Sequence, residues 1–247
     1  MRKKQKIIAR TFKTTILTGM LILLGILVKE YSIHIGLFDN FEVQIKGNQF
    51  VNKSRIQEQL TPYMTQSLLS LNLNDMQDGI SSLNFIETAQ ISRLLPNILM
   101  VQIIESQPIL LITIENENFL MDKNGILLPA DNSSISFFPV PIITISNEIE
   151  NAGEIRGDIT GVFQFLLNDY PIFYDNLSEV IVGEKKWTFY SDSKTQIFAK
   201  SENLFTQLNI LKNFEQTVSP NRQLDDYSYI DLRIEKQIIV KEKYRKG

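Results

Sequence analysis

FEVQIKGNQFVNKSRIQEQL (residues 41–60) and TAQISRLLPNILMVQIIE (residues 88–105) decide the fold of the N-terminal half. In the first stretch Phe41, Val43 and Ile45 alternate with polar neighbours, the period of a strand with one covered face. Lys46-Gly47-Asn48 then turns the chain, with Gly47 free to take positive φ. Ser54 is an expected helix cap, with Gln57 three residues on, and Ile56 and Leu60 share a face. In the second stretch Ala89, Ile91 and Arg93 face one way along a strand. Pro96-Asn97 turns the chain into a third strand, where Leu99, Val101 and Ile103 face one way.

Between the two lies LNLNDMQDGISSL, with Asn74 as expected N-cap and Met76, Ile80 and Leu83 at helical spacing. The order is β-α-α-β-β, a small sheet covered on one face by two helices, which belongs to the α+β class. The pattern from Phe41 through Gly47-Asn48, Ala89, Ile91, Arg93, Pro96, Leu99, Val101, Ile103 and Glu105 to Pro108 resembles a POTRA (polypeptide-transport-associated) domain. Directly after a single anchor, it resembles the FtsQ/DivIB family of bacterial cell-division proteins. Where that family carries a Glu-Arg pair before the proline, this chain has Glu105-Ser106.

The anchor precedes the small sheet. Residues 1–13 hold Arg2, Lys3, Lys4, Lys6, Arg10 and Lys13 and no acid. Thr14 to Val28 follows without a charge, bounded by Lys13 and Lys29. As a helix these 15 residues span about 22 Å, against the roughly 30 Å of a bilayer core. Snorkelling lysines and interfacial Phe12 and Tyr31 make up the difference. No A-x-A-like cleavage site follows, which favours an uncleaved anchor over a signal peptide. The expected organisation is a cytoplasmic basic tail (1–13), an anchor (14–30), a POTRA domain (38–108) and a strand-rich domain with two helices (109–243). The positive-inside rule places the body outside the cytoplasm, in the periplasm or its equivalent.

Composition narrows the function classes. With no cysteine, disulfides, thiolate metal sites and a Cys nucleophile are excluded. Beyond residue 13, 19 of the 25 basic residues face all 28 acids, which argues against a nucleic-acid surface. The single histidine, His34, has no second His or Cys with which to hold a metal. Nucleotide-binding and nucleophile-elbow motifs do not occur. Asp225-Asp226 and Glu148/Glu150 read as solvated loop acids, and Trp187 as strand core. Composition leaves a two-carboxylate hydrolase open, but no pair is positioned for it. No catalytic, metal or cofactor residue is expected.

The C-terminal half reads as strands at 109–114, 118–122, 179–182, 186–191 and 195–200, with an Asp122–Gly125 hairpin turn. SFFPVP (136–141) reads as buried loop. One helix is expected from 158 to Pro171, with Val162, Phe165 and Leu166 inward. A second is expected over 201–218, capped by Ser201, with Leu204, Phe205, Leu208 and Leu211 inward. YIDLRIEKQIIVKEKYRKG (229–247) closes the chain as a hairpin around Glu235-Lys236-Gln237. Its IDLRI resembles the family's D-L-R-aromatic strand, with Ile234 in place of the aromatic residue.

A terminal strand is expected at a sheet edge, and Lys241, Glu242 and Lys243 read as charges guarding it. The residues alone leave two readings open, a shielded last strand or a socket for strand addition. The resemblance implies that FtsB-like and FtsL-like small division proteins bind there, which makes Ile238, Ile239, Val240, Lys241 and Glu242 the expected contact residues. A weaker second contact is expected on the POTRA edge at Ala89, Ile91 and Arg93. The expected function is a non-enzymatic scaffold of the division machinery at the septum, without nucleic acid or small-molecule substrate. A transport or assembly subunit and an anchored envelope hydrolase are the alternatives.

Overall fold

The computed structural model describes residues 2–114, 116–146, 152–219 and 221–244; the side chains of residues 2–11, 33 and 152–155 lie outside the description. The chain divides into two compact units, Met1–Glu105 and Ser106–Gly247. In the first, helix α1 (Arg2–His34) contains a span, Phe12–Ser32, long and apolar enough to cross a membrane and unburied by the rest of the chain. At 1.5 Å per residue its 21 residues reach about 32 Å. The helix therefore needs less help from snorkelling than its uncharged core suggested.

Strand β1 (Glu42–Lys46), helices α2 (Lys53–Leu60) and α3 (Leu73–Ser81), β2 (Ile86–Leu94) and β3 (Ile98–Glu105) follow. The sheet order is β1-β3-β2, with β1 parallel and β2 antiparallel to the central strand. Ile56, Leu60, Met76 and Ile80 of the helices and Ala89, Ile91, Leu99, Val101 and Ile103 of the sheet are buried. Both helix caps lie two residues earlier than expected. Asn52 and Asn72, not Ser54 and Asn74, accept the first free backbone N–H groups. An asparagine carbonyl in extended backbone reaches the N2 amide directly, and this displaces the expected capping boxes.

Gly47 (φ +91°) lies against β3, and a Cβ there would meet the Ile103 carbonyl oxygen at 2.0 Å. The next residues fold around Glu105, whose carboxylate accepts from the backbone N–H groups of Gln49, Phe50 and Val51 at 2.8–3.0 Å. Gly47 and Glu105 thus brace one end of the sheet. At the other end the Arg93 guanidinium donates to the carbonyls of Leu68 (2.7 Å) and Leu71 (2.5 Å).

The second unit is built on a nine-stranded sheet, β12-β11-β10-β9-β8-β7-β4-β5-β6. Its strands are β4 (Pro108–Ile114), β5 (Glu117–Asp122), β6 (Leu127–Pro129), β7 (Ile142–Ile145), β8 (Leu177–Val182), β9 (Lys186–Ser191), β10 (Gln196–Lys200), β11 (Tyr227–Asp231) and β12 (Ile239–Glu242). Pairs β4–β7, β7–β8 and β10–β11 are parallel. Parallel neighbours need crossover connections. Helices α5 (Ala152–Asp169) and α6 (Pro171–Asp175) lie in the crossover from β7 to β8, and α7 (Leu204–Val218) in that from β10 to β11. Buried residues of these helices, Phe163, Leu166, Phe173, Leu208 and Leu211 among them, form one cluster with the sheet.

Among the described residues four α-helices occur here rather than two. Alongside the short α6, helix α4 (Asn132–Phe137) occupies the expected loop, started by a reciprocal capping box between Asp131 and Ser134. The Ser134 backbone N–H holds the Asp131 carboxylate below its usual range. SFFPVP is buried only at Pro141; Phe137 is exposed and Phe138 half-exposed. In α5 the inward aromatic is Phe163, and Phe165 is only half-buried. The long helix begins at Leu204, after Asn203 in left-handed geometry, and not at Ser201. Buried Gln207 organises this start. Its Oε1 accepts from Lys200 N (2.9 Å) and its Nε2 donates to Glu202 O (2.9 Å). Phe205 faces solvent: the inward stripe is Leu204, Gln207, Leu208 and Leu211, and Phe205 lies about 100° around the helix from Leu204.

Candidate protein-binding edge

The sheet register runs one row of side chains across six strands on the helix-covered face: Ile112, Ile143, Val180, Phe189, Ile197 and Ile230. Each of these is at most 2% exposed. The row ends at Val240 of β12, paired with Ile230, and there exposure jumps to 37%. Strand β12 thus lies past the cover of the helices. It pairs with β11 on one side and is the outermost strand on the other. All four of its residues are exposed. Along an antiparallel ladder every second residue turns its N–H and C=O away from the partner, so β12 presents an open row of backbone groups.

The hairpin is shifted from its expected register. Its first strand is Tyr227–Asp231, and residues 232–238 form a wide connection with Lys236 at positive φ. The cause is an Asp231–Arg233 clasp. Arg233 donates to both Asp231 oxygens at 2.7–2.9 Å and lies over the Phe198 ring. That contact holds the Asp231 carboxyl below its usual range and turns the backbone out of the ladder before Ile234. Ile238 precedes the strand and packs, half-buried, against the core. Ile239, Val240, Lys241 and Glu242 constitute the edge itself.

Charges at the end of β12 do more than guard it. Lys243 Nζ donates to Ser193 O (2.7 Å) and Thr195 Oγ1 (3.2 Å), and Lys243 N donates to Asp226 O (2.8 Å). Glu242 pairs with Arg222 at 3.1 Å. Asp225 and Asp226 are not free loop acids either. Asp225 accepts from Ser193 Oγ (2.5 Å), and Asp226 caps Gln223 N (3.0 Å). Beneath them, buried Thr195 donates to the Tyr227 carbonyl (2.8 Å). This polar clamp, absent from the sequence reading, fastens the far end of β12. No spacing motif announces it, because its members come from three separate segments.

The POTRA-type edge differs. Strand β2 is outermost in its sheet, but Ala89 and Ile91 point into the core at 0% and 7% exposure. Arg93 is spent on the Leu68 and Leu71 carbonyls. The opposite-facing Thr88, Gln90, Ser92 and Leu94 are turned outward, together with Glu87 near the strand start and the β2 backbone. The two expected contact groups lie in different units.

A POTRA domain model of FtsQ type matches residues 41–106, and a model described as FtsQ/DivIB, C-terminal related, matches residues 107–241. The chain belongs to the FtsQ/DivIB family. It is 24% identical over 192 residues to the cell division protein FtsQ of Rickettsia prowazekii, covering 77% of this chain and 67% of that one. It is 22% identical over 220 residues to FtsQ of Koribacter versatilis (85% and 62%). DivIB of Clostridium botulinum is 28% identical over 127 residues (51% and 47%). The chain thus spans about two thirds or less of the length of these relatives. Glu148 and Glu150 lie outside the described residues. Among the described residues no group of three or more His, Asp or Glu is placed to hold a metal.

Proposed function

We propose that this protein acts in cell division as a non-catalytic, membrane-anchored scaffold. Its body outside the cytoplasm recruits an FtsB-like partner by strand addition to β12, with an FtsL-like protein in the same assembly. The observation that carries this reading is the uncovered end of the sheet. A row of side chains buried on six strands runs out into an exposed four-residue strand whose outer backbone faces solvent. Strand addition suits such an edge, because main-chain hydrogen bonds supply affinity and Ile239, Val240 and Lys241 supply the alternating side chains. Family membership and relatives named for cell division support the context. The apolar helix supports anchoring in the plasma membrane, with the basic tail inside. The β2 backbone is a second, weaker docking edge.

The test is capture of an FtsB-like ectodomain by the full chain and by two proline variants, Ile239→Pro and Val240→Pro. Alternation gives one of these residues an outward N–H. At least one variant is expected to lose capture while keeping the wild-type circular dichroism spectrum. Capture unchanged in both would exclude strand addition at β12. A fluorescent fusion of the full chain should form a midcell band; a uniform rim would contradict the division role.

A further inference from the structure

We propose that the anchor-proximal end of the POTRA-type domain seats in the lipid headgroup layer of the membrane that α1 spans, so that the membrane is a docking partner of the folded domain. The inference rests on the anchor reading above and goes beyond it.

Hydrogen bonds define this end of the domain. Leu68 N donates to Phe38 O at 2.8 Å, Glu42 N to Asn97 O at 2.8 Å, and Arg93 holds the Leu68 and Leu71 carbonyls. The start of β1, the 61–71 loop and the β2–β3 turn are thereby one surface, opposite the Gly47–Glu105 brace. Between Phe41 and Glu105 five large apolar side chains are exposed: Met64, Leu69, Leu94, Leu95 and Ile104. Four of the five lie at this end. Leu69 follows the residue bonded to Phe38, Leu94 and Leu95 follow Arg93, and Met64 lines a shallow depression with Glu42 and Val43. Ile35 and Leu37, in the link from the helix, are also exposed.

The link is too short to hold this surface away from the bilayer. The span ends at Ser32, and Phe38 is already bonded to the domain. Ile35 N donates to Tyr31 O (3.0 Å), Leu37 N to Ser32 O (3.1 Å) and Asp39 N to Gly36 O (3.2 Å), so the link is wound and not extended. Six residues at helical rise advance about 9 Å. One headgroup layer is roughly 5–8 Å thick, and interfacial apolar faces sink about 5–10 Å into it. The exposed leucines are therefore carried to the depth at which such side chains insert. The acids Asp39 and Glu42 flank them, and the nearby Arg93 guanidinium is engaged with carbonyls, so the attraction is apolar and does not require anionic lipid.

The absence of native cysteine makes single-cysteine probes clean. The full chain, in phosphatidylcholine nanodiscs with lipid spin-labelled at a shallow position for the domain probes and near the acyl-chain end for the span probe, would carry a fluorophore at Leu69→Cys, Leu94→Cys, Gln49→Cys at the opposite end, or Leu24→Cys in the span. The expected result is quenching at Leu69→Cys and Leu94→Cys and none at Gln49→Cys. Replacing Leu94 and Leu95 by serine should abolish most of the quenching at Leu69→Cys. If Leu24→Cys is quenched and neither domain probe is, the seating is overturned and the anchor stands, leaving this face to a protein partner. If Leu24→Cys is not quenched, the anchor reading fails and the seating fails with it.

Discussion

Two outermost strands in one chain are held in opposite ways. Strand β2 is nine residues long and drives Ala89 and Ile91 into the core beneath α2 and α3. Strand β12 is four residues long, buries no side chain, and is secured by its ladder to β11 and a polar clamp at Lys243 and Glu242. An edge fixed by its core gains little more order when a partner pairs with it. An edge fixed by backbone and polar contacts stands to gain most from a second ladder. The difference also separates stability from recognition. Substitutions in β2 report on folding, and those in β12 report on binding.

The largest expected effect breaks the comparison if it fails. Ile91→Ala should destabilise the POTRA-type unit by about 2–5 kcal/mol, as cavity formation in a core does. Val240→Ala should stay within about 0.5 kcal/mol, as for an exposed side chain. Urea unfolding of each variant measures both. Equal losses would mean that β12 is a core strand.

The next effect concerns alkaline pH and the second unit. Burial raises the Tyr170 hydroxyl far above its usual range, reinforced by its hydrogen bond to the Glu215 carboxylate. Burial also pushes Tyr174, which donates to Ile109 O at 2.9 Å, up to about 12. The unfolded chain releases such protons near pH 10, before the folded chain does. Between about pH 10 and 12 the folded state thus binds more protons, and its stability falls as pH rises. Unfolding midpoints followed through Trp187, buried in this unit, should drop over that window. Replacing Tyr174 by Phe should flatten the drop.

These two contrasts mark how far the sequence could be read. The small sheet was legible because Ala89/Ile91 and Leu99/Val101/Ile103 keep a strict period of two, and Gly47 admits one backbone solution at its turn. The outermost place of the last strand was legible from its position after the other strands and from the charges Lys241, Glu242 and Lys243. The clamp was not, since Lys243, Ser193, Thr195 and Asp226 meet only after β10 and β11 pair in parallel across α7. The expected caps fall two residues late where an asparagine upstream competes for the same amides. Phe205 reads inward because it is apolar and adjoins Leu204, whereas polar Gln207 takes the inward place by bonding Lys200 and Glu202 and centres the buried stripe away from Phe205. Helix α4 hides in a segment whose prolines outweigh its Asp131–Ser134 box.

Smaller effects sharpen the contrast. Lys243→Met removes the donor to Ser193 and Thr195 and should cost about 1 kcal/mol, the net worth of such hydrogen bonds. Hydrogen exchange at residues 239–242 should accelerate while β2 amides stay unchanged. Asp231→Asn should cost less still, about 0.5 kcal/mol, because Arg233 is partly exposed. The sign with pH follows from the lowered Asp231 carboxyl. The pair contributes fully above the unfolded carboxylate range, and its contribution is lost as pH falls through the folded value. The acid sensitivity of the wild type over that range should shrink in the variant.

The most direct test of strand addition is amide hydrogen exchange across β12 with and without an FtsB-like ectodomain. Alternate amides of residues 239–242, exchanging freely in the unbound protein, should become protected on binding, while β2 changes little. A partner that binds tightly and leaves every β12 amide exchanging at its free rate would contradict the account.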